Sequence, residues 1–211
     1  MAFHAQLAEV ARCLAQTVFG GTLESVPRTD ILSRADDACD RLHQMLIEVP
    51  TSTALAPLYI GRAPELVGSR YRTDDQNALL GGNVGMLVCL LEEEECVQYG
   101  GSIELRMKAT LDLGLHWEWL PIEDFGIPAL EVLQQVVGTI QRARGSGVPV
   151  FVHCMAGLGR AGTLAAAILV DEGLNPTDSV GLVRWVRPGA IQSEEQENMI
   201  ASLAVNFVVK R

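Results

Sequence analysis

The residues best equipped for chemistry stand together in His153-Cys154-Met155-Ala156-Gly157-Leu158-Gly159-Arg160-Ala161-Gly162-Thr163. Residues 148–152 before them are apolar and rich in valine, which reads as a buried strand. Residues 164–170 after them are apolar and alanine-rich, which reads as a buried helix ending near Gly173. A cysteine therefore sits where a strand gives way to a glycine-containing loop, and the loop opens a helix. Successive N–H groups in such a turn point inward, and the helix N-terminus adds partial positive charge. The loop of Met155, Ala156, Gly157, Leu158, Gly159 and Arg160 is thus suited to an anion. The same field favours a thiolate at Cys154. Arg160 can hold two oxygens of one phosphate with its planar fork, which lysine cannot. Gly157 and Gly159 let the backbone approach a bound oxyanion closely. The competing reading is an inert core cysteine with an arginine nearby by chance.

This stretch resembles the Cys-x5-Arg signature of the cysteine-dependent protein tyrosine phosphatase superfamily, in its small dual-specificity branch. The wording His-Cys-x-x-Gly-Leu-Gly-Arg-Ala-Gly-Thr is most similar to the kinase-associated phosphatase (cyclin-dependent kinase inhibitor 3-like) group. Its Gly-Leu-Gly-Arg-Ala part is also similar to the phosphatases of regenerating liver. The resemblance implies a nucleophile at Cys154 and an oxyanion clamp at Arg160. It also implies a proton donor on a mobile loop, because an alkoxide or phenoxide leaving group needs one. The segment Pro121-Ile122-Glu123-Asp124-Phe125-Gly126-Ile127-Pro128 resembles the family's general-acid loop and carries that role over to Asp124. Glu123 is the competing carboxylate, and a plain helix cap is the competing role for Asp124. His153 is a candidate for ordering the loop, and Gln192 and Gln196 for orienting the hydrolytic water. Gln196 also fits a capping box with Ser193. One departure from the family is Ala161, where a Ser or Thr hydroxyl usually serves the departing thiolate. Thr163 substitutes for it only if its hydroxyl faces the loop. No metal and no cofactor is implied.

Composition sets the frame. The chain has 211 residues, 48% of them hydrophobic and 20% charged, enough to bury a sizeable core. Five cysteines (Cys13, Cys39, Cys89, Cys96, Cys154) show no framework or ligand spacing, which points to a reducing, cytoplasmic setting. No apolar run approaches the roughly 20 residues that span a bilayer. A net charge of −10 argues against nucleic acid or anionic membrane as main partner. It also requires any phosphate site to be locally positive, with Arg70 and Arg72 as further candidates beside Arg160.

Along the chain, apolar spacing predicts helices over residues 3–19 and 31–49, the second stopped by Pro50. Residues 1–50 read as a helical extension packed on a phosphatase domain of residues 51–211. Strands are expected over 58–60, 86–91, 115–122 and 148–152, and a polar loop over 63–76. Helices are expected over 129–144, 176–186 and 194–209. The run Glu92-Glu93-Glu94-Glu95 reads as a solvated helix start rather than a metal site. This alternation predicts an α/β fold: a central, mainly parallel sheet of four or five strands, flanked by helices on both faces, with the Cys154 loop at the carboxyl end of its strand.

The function expected is a phosphoprotein phosphatase acting on phosphotyrosine, and on phosphoserine or phosphothreonine, through a cysteinyl-phosphate. The alternatives are a low-turnover phospho-binding regulator and a phosphoinositide phosphatase. The latter is disfavoured because no Lys or His lies between Cys154 and Arg160. A sulfur-transfer or arsenate-reducing enzyme would leave Asp124 without a purpose. Cys89 is either an ordinary core residue or a redox partner of Cys154.

Overall fold

The computed structural model describes residues 45–52, 54–67, 72–98 and 101–207. The helix expected over 3–19, most of that over 31–49, and Arg70 lie outside them.

Five strands form one sheet in the order β1-β2-β5-β3-β4: β1 Ile47–Val49, β2 Leu58–Gly61, β3 Met86–Cys89, β4 His116–Trp119 and β5 Val150–His153. Only β1 runs antiparallel to its neighbour; every other pairing is parallel. β1 corrects the expectation of helix up to Val49. Ile47 and Val49 are buried while Glu48 between them is exposed, a period of two that the β-branched pair satisfies against Ile60 and Leu58. β3 and β5 are buried on both faces, as their unbroken apolar runs require of central parallel strands.

Seven helices are described: α1 Arg72–Gly81, α2 Glu93–Gln98, α3 Ile103–Asp112, α4 Leu130–Gly145, α5 Gly159–Asp171, α6 Pro176–Val186 and α7 Glu194–Phe207. The loop expected over 63–76 is present at residues 63–67, and helix α1 corrects it over residues 72–76. Its apolar periodicity is weak, but Asp74 and Asp75 lie in its first turn, where the helix dipole favours negative charge. Asp75 is buried there and accepts both nitrogens of the Arg62 fork, at 2.9 and 2.7 Å.

Two apolar clusters lie on opposite faces of the sheet. One holds Ile60, Val88, Val152 and Cys154 with Leu133, Val137 and Ile140 of α4 and the alanine-rich face of α5. The other holds Leu87, Cys89 and Phe151 with Leu79, Cys96 and Ile103 from α1, α2 and α3. Cys89 and Cys154 thus side with different faces. The Cys89 thiol shares a hydrogen bond with Cys96, which together with burial pushes its pKa up. Nothing in this placement favours a Cys89–Cys154 redox pair. Among the described residues, no helix is long and apolar enough to cross a membrane.

The strand register sets the position of the site. Gly61, His153, Cys89 and Trp119 pair side by side, so the carboxyl ends of β2, β5, β3 and β4 are level. In an open parallel sheet this edge is where a crevice forms. Four segments leave it: the turn at Arg62, the Cys154 loop, the glutamate run and the Asp124 loop.

Candidate active site

The Cys154 loop is shaped by its carbonyls. His153 O accepts from Leu90 N at 2.9 Å, and Met155 O from Ala63 N at 3.0 Å. Cys154 O lies 3.2 Å from Nδ1 of the His153 ring. Arg187 donates to Ala156 O at 2.7 Å and to Gly157 O at 3.2 Å. Leu158 O accepts from Gly162 N at 3.0 Å and from Ile191 N at 3.3 Å, and Gly159 O accepts from Thr163 Oγ1 at 2.8 Å. A trans peptide points its N–H opposite to its C=O. With each carbonyl from Cys154 to Gly159 drawn to a partner on the rim, the N–H groups of Met155 to Arg160 turn towards the centre. Such a ring of donors is suited to an oxyanion.

One glycine is needed for this path, and a second is closely approached by side chains. Gly157 has φ +71°, and a Cβ there would fall 2.1 Å from the carbonyl carbon of Gly61. At Gly159 a Cβ would come within 2.9 Å of Gln192 Oε1 and 3.1 Å of Gln196 Nε2. Gln192 therefore stands beside the loop, and Gln196 is buried beside it.

His153 is buried, with its ring stacked on Phe151 at 5.8 Å between centroids. Burial lowers its pKa to about 3, so the ring is neutral and meets Cys154 O without titrating near neutrality. The Thr163 hydroxyl is donated to its own helix at Gly159 O, the usual i−4 bond, and closes the loop's last turn.

Arg160 lies in the first turn of α5 and is 2% exposed. Its partner corrects the solvated reading of the glutamate run. Glu95 takes the end of the guanidinium in two bonds, Nη1 to Oε2 at 2.6 Å and Nη2 to Oε1 at 2.8 Å, while Glu93 and Glu94 stay exposed. Nη1 also donates to Ile122 O at 2.9 Å. Burial would raise the Glu95 pKa, but the hydrogen bond and charge of Arg160 outweigh it and hold the carboxyl below its ordinary value. Burial would likewise lower the Arg160 pKa, and the Glu95 carboxylate leads the groups that raise it instead. An isolated guanidinium at this depth would be strongly destabilising. The sequence hint for Glu95 was positional: the run follows a strand that ends level with β5.

With its end occupied, Arg160 keeps its side edge for other anions. Nε is buried without a hydrogen-bond partner. Nη2 lies 3.1 Å from Asp124 Oδ1. Asp124 itself is on the loop after β4, with its side chain 61% exposed. The structure thus brings Cys154, Arg160 and Asp124 to one edge of the sheet. Among the described residues, Asp124 meets Arg160 and no bond joins Glu123 to the site.

Arg187, just past α6, is the other residue that sequence reasoning missed. It is 2% exposed and reaches back to the loop from a different element, a placement no local pattern announces.

Comparisons with known proteins bear on the family and the fold. The chain is 34% identical over 86 residues to the tyrosine-protein phosphatase CDC14 of Saccharomyces cerevisiae, a match covering 40% of this chain and 16% of the yeast protein. The solved structure of Tk-PTP in the active form superposes with a TM-score of 0.59 and 28% identity, covering 70% of this chain and 91% of that one. A kinase-associated phosphatase, solved with its catalytic-site cysteine replaced by serine, superposes at 0.68 with 18% identity, covering 79% and 98% of the two chains. It shares the fold. The family model described as polymorphic toxin system, DSP-PTPase phosphatase matches residues 64–174. That match spans just over half of the sequence and includes the Asp124 and Cys154 loops, and the chain therefore belongs to this family of cysteine-dependent dual-specificity phosphatases.

Proposed function

We propose that the protein is a phosphoprotein phosphatase, hydrolysing phosphotyrosine and also phosphoserine or phosphothreonine through a cysteinyl-phosphate. The observation that carries this reading is the orientation of the Cys154 loop, whose carbonyls are all engaged on its rim, with Arg160 Nε left without a partner and Nη2 shared only with Glu95 and Asp124.

The phosphoryl group enters with its equatorial oxygens on the N–H groups of Met155 to Arg160 and on Nε and Nη2 of Arg160. The Cys154 thiolate attacks phosphorus in line; the S–P bond forms as the bond to the leaving oxygen breaks. Asp124 gives that oxygen a proton, leaving Arg160 Nη2 to the phosphate. In the second step Asp124 takes a proton from water, the water oxygen bonds phosphorus, and the S–P bond breaks to release inorganic phosphate and the thiolate. Gln192 is placed beside the loop, where it can orient that water. Ala161 offers no hydroxyl to the departing thiolate, and the Thr163 donor is committed to Gly159 O. Breakdown of the intermediate is accordingly slow. The substrate is a phosphorylated protein, and the protein works in the cytoplasm.

Hydrolysis of a small aryl phosphate in the presence of chelator tests the reading. Activity is abolished in Cys154→Ser and falls on the order of 10²- to 10⁴-fold in Asp124→Asn. An inactive wild type that binds phosphopeptide tightly would instead make the protein a phospho-binding regulator.

A further inference from the structure

The Asp124 loop is exposed, yet its backbone is held from a distance. Ser193 Oγ donates to Phe125 O at 2.8 Å, across 68 residues. Gln196 Nε2 donates to Gly126 O at 3.2 Å, across 70 residues. The same two side chains cap helix α7: Gln196 N donates to Ser193 Oγ at 3.2 Å, and Gln196 Oε1 accepts from Gln192 N at 2.8 Å and Ser193 N at 3.4 Å. Each side chain therefore uses its acceptor oxygen for the helix and its donor for the Asp124 loop.

The two carbonyls so captured flank the tightest point of that loop. Phe125 has φ +62°, a conformation that favours glycine, and the residue is 54% exposed. Gly126 N closes the turn on Glu123 O at 2.8 Å. Asp124 Oδ1 accepts from Phe125 N at 3.1 Å, so the turn at Phe125 sets the direction of the carboxyl itself. A helix cap alone would explain neither donor.

We infer that Ser193 and Gln196 are positioning residues for the general acid, their donors latching the Asp124 loop over the phosphate while their acceptors cap α7. The inference rests on Asp124 being the acid. The helix cap and the loop then form one unit: the residues beside Gly159 of the phosphate loop also fix where the proton donor stands.

Two substitutions separate the roles. Ser193→Asp keeps a capping acceptor for Gln196 N but has nothing to donate to Phe125 O. Gln196→Glu keeps the acceptor of the capping box but has nothing to donate to Gly126 O. Ser193→Thr retains both functions. The readout is the ratio of the rate on phosphotyrosine, whose phenoxide needs a proton, to that on 2,4-dinitrophenyl phosphate, whose leaving group does not. The ratio is followed across pH so that altered protonation is not mistaken for lost placement. Asp124→Asn lowers it by about 100-fold or more. Ser193→Asp and Gln196→Glu each lower it by about 3- to 10-fold, the worth of one hydrogen bond, and Ser193→Thr stays at the wild-type value. A ratio unmoved in both Ser193→Asp and Gln196→Glu, with Asp124→Asn lowering it, would overturn the latch and leave the acid standing. A ratio unmoved in Asp124→Asn would overturn the acid, and the latch with it. Should one of the two acidic variants fail to fold, the other decides.

Discussion

The loop bearing Cys154 and the loop bearing Asp124 leave level strand ends on the same edge of the sheet, but they are held in opposite ways. In the first, each carbonyl from Cys154 to Gly159 has a partner, Arg160 is 2% exposed, and Gly157 has no room for a Cβ. In the second, the functional side chain is 61% exposed, and its loop is joined to the rest of the molecule by a few bonds around a left-handed Phe125. The contrast fits the two tasks proposed for these loops. A charge that develops on phosphate is stabilised best by dipoles that do not need to reorganise. A proton donor must let substrate in and product out, so its loop is drawn from the weakly held part of the structure.

Substitutions on the buried side should accordingly cost stability as well as rate, and those on the exposed side rate alone. The largest stability effect is expected for Arg187→Met. It strips the donors from Ala156 O and Gly157 O in a buried setting, and at 1–3 kcal/mol per unpaired group the loss is about 4 kcal/mol. Chemical denaturation measures it; a melt like that of the wild type would mean that the loop holds its shape without Arg187.

Next comes Glu95→Gln, which leaves Arg160 with one neutral acceptor in place of a bidentate carboxylate. Loss of a buried partner predicts about 3 kcal/mol, at the lower end because the Glu95 side chain keeps 19% exposure. Asp124→Asn, by contrast, should move the melting temperature hardly at all, within about 0.5 kcal/mol. Equal destabilisation by the two would break the contrast between the regions.

His153 adds a pH dependence to the buried side. Its folded pKa of about 3 lies below the unfolded value near 6.5, so the unfolded chain takes up the proton first as pH falls. Its contribution is intact above pH ~6.5, declines below it, and reaches a loss of about 2 kcal/mol by pH ~5. Denaturation of wild type and His153→Asn at both pH values isolates this share; an unchanged pH slope in the variant would assign the acid sensitivity elsewhere.

The smallest effect expected is that of Ala161→Ser. A hydroxyl after Arg160 could donate to the leaving thiolate and raise turnover about 10-fold, one charged hydrogen bond, if breakdown of the intermediate limits the rate. Burst kinetics would show the phosphoenzyme accumulating in the wild type and less so in the variant. An unchanged steady-state rate would place the slow step earlier.

Much of this molecule is written locally. The strand–Cys154–loop–helix unit, the helices α4, α6 and the start of α7, and the capping pair Ser193 and Gln196 depend on neighbours a few residues apart, where periodicity and capping rules act. The Asp124 loop was legible through resemblance to a family motif rather than through its residue types alone. What could not be read locally involves partners far apart in the chain. Four glutamates in a row look alike in sequence; only the level ends of β3 and β5 single out Glu95 for Arg160, 65 residues away. Arg187 looks like a helix terminus until α6 is packed against the Cys154 loop. Ile47 and Val49 fit an apolar helix face equally well until β2 offers an edge to pair with. The candidate nucleophile, its clamp and the alternation that makes an α/β sheet are legible in the chain alone, because they depend on backbone periodicity and side-chain chemistry. Which charges face Cys154, and which groups hold the Asp124 loop, emerge only once the chain is folded, because burial makes a charge or a carbonyl seek a partner wherever the fold places one.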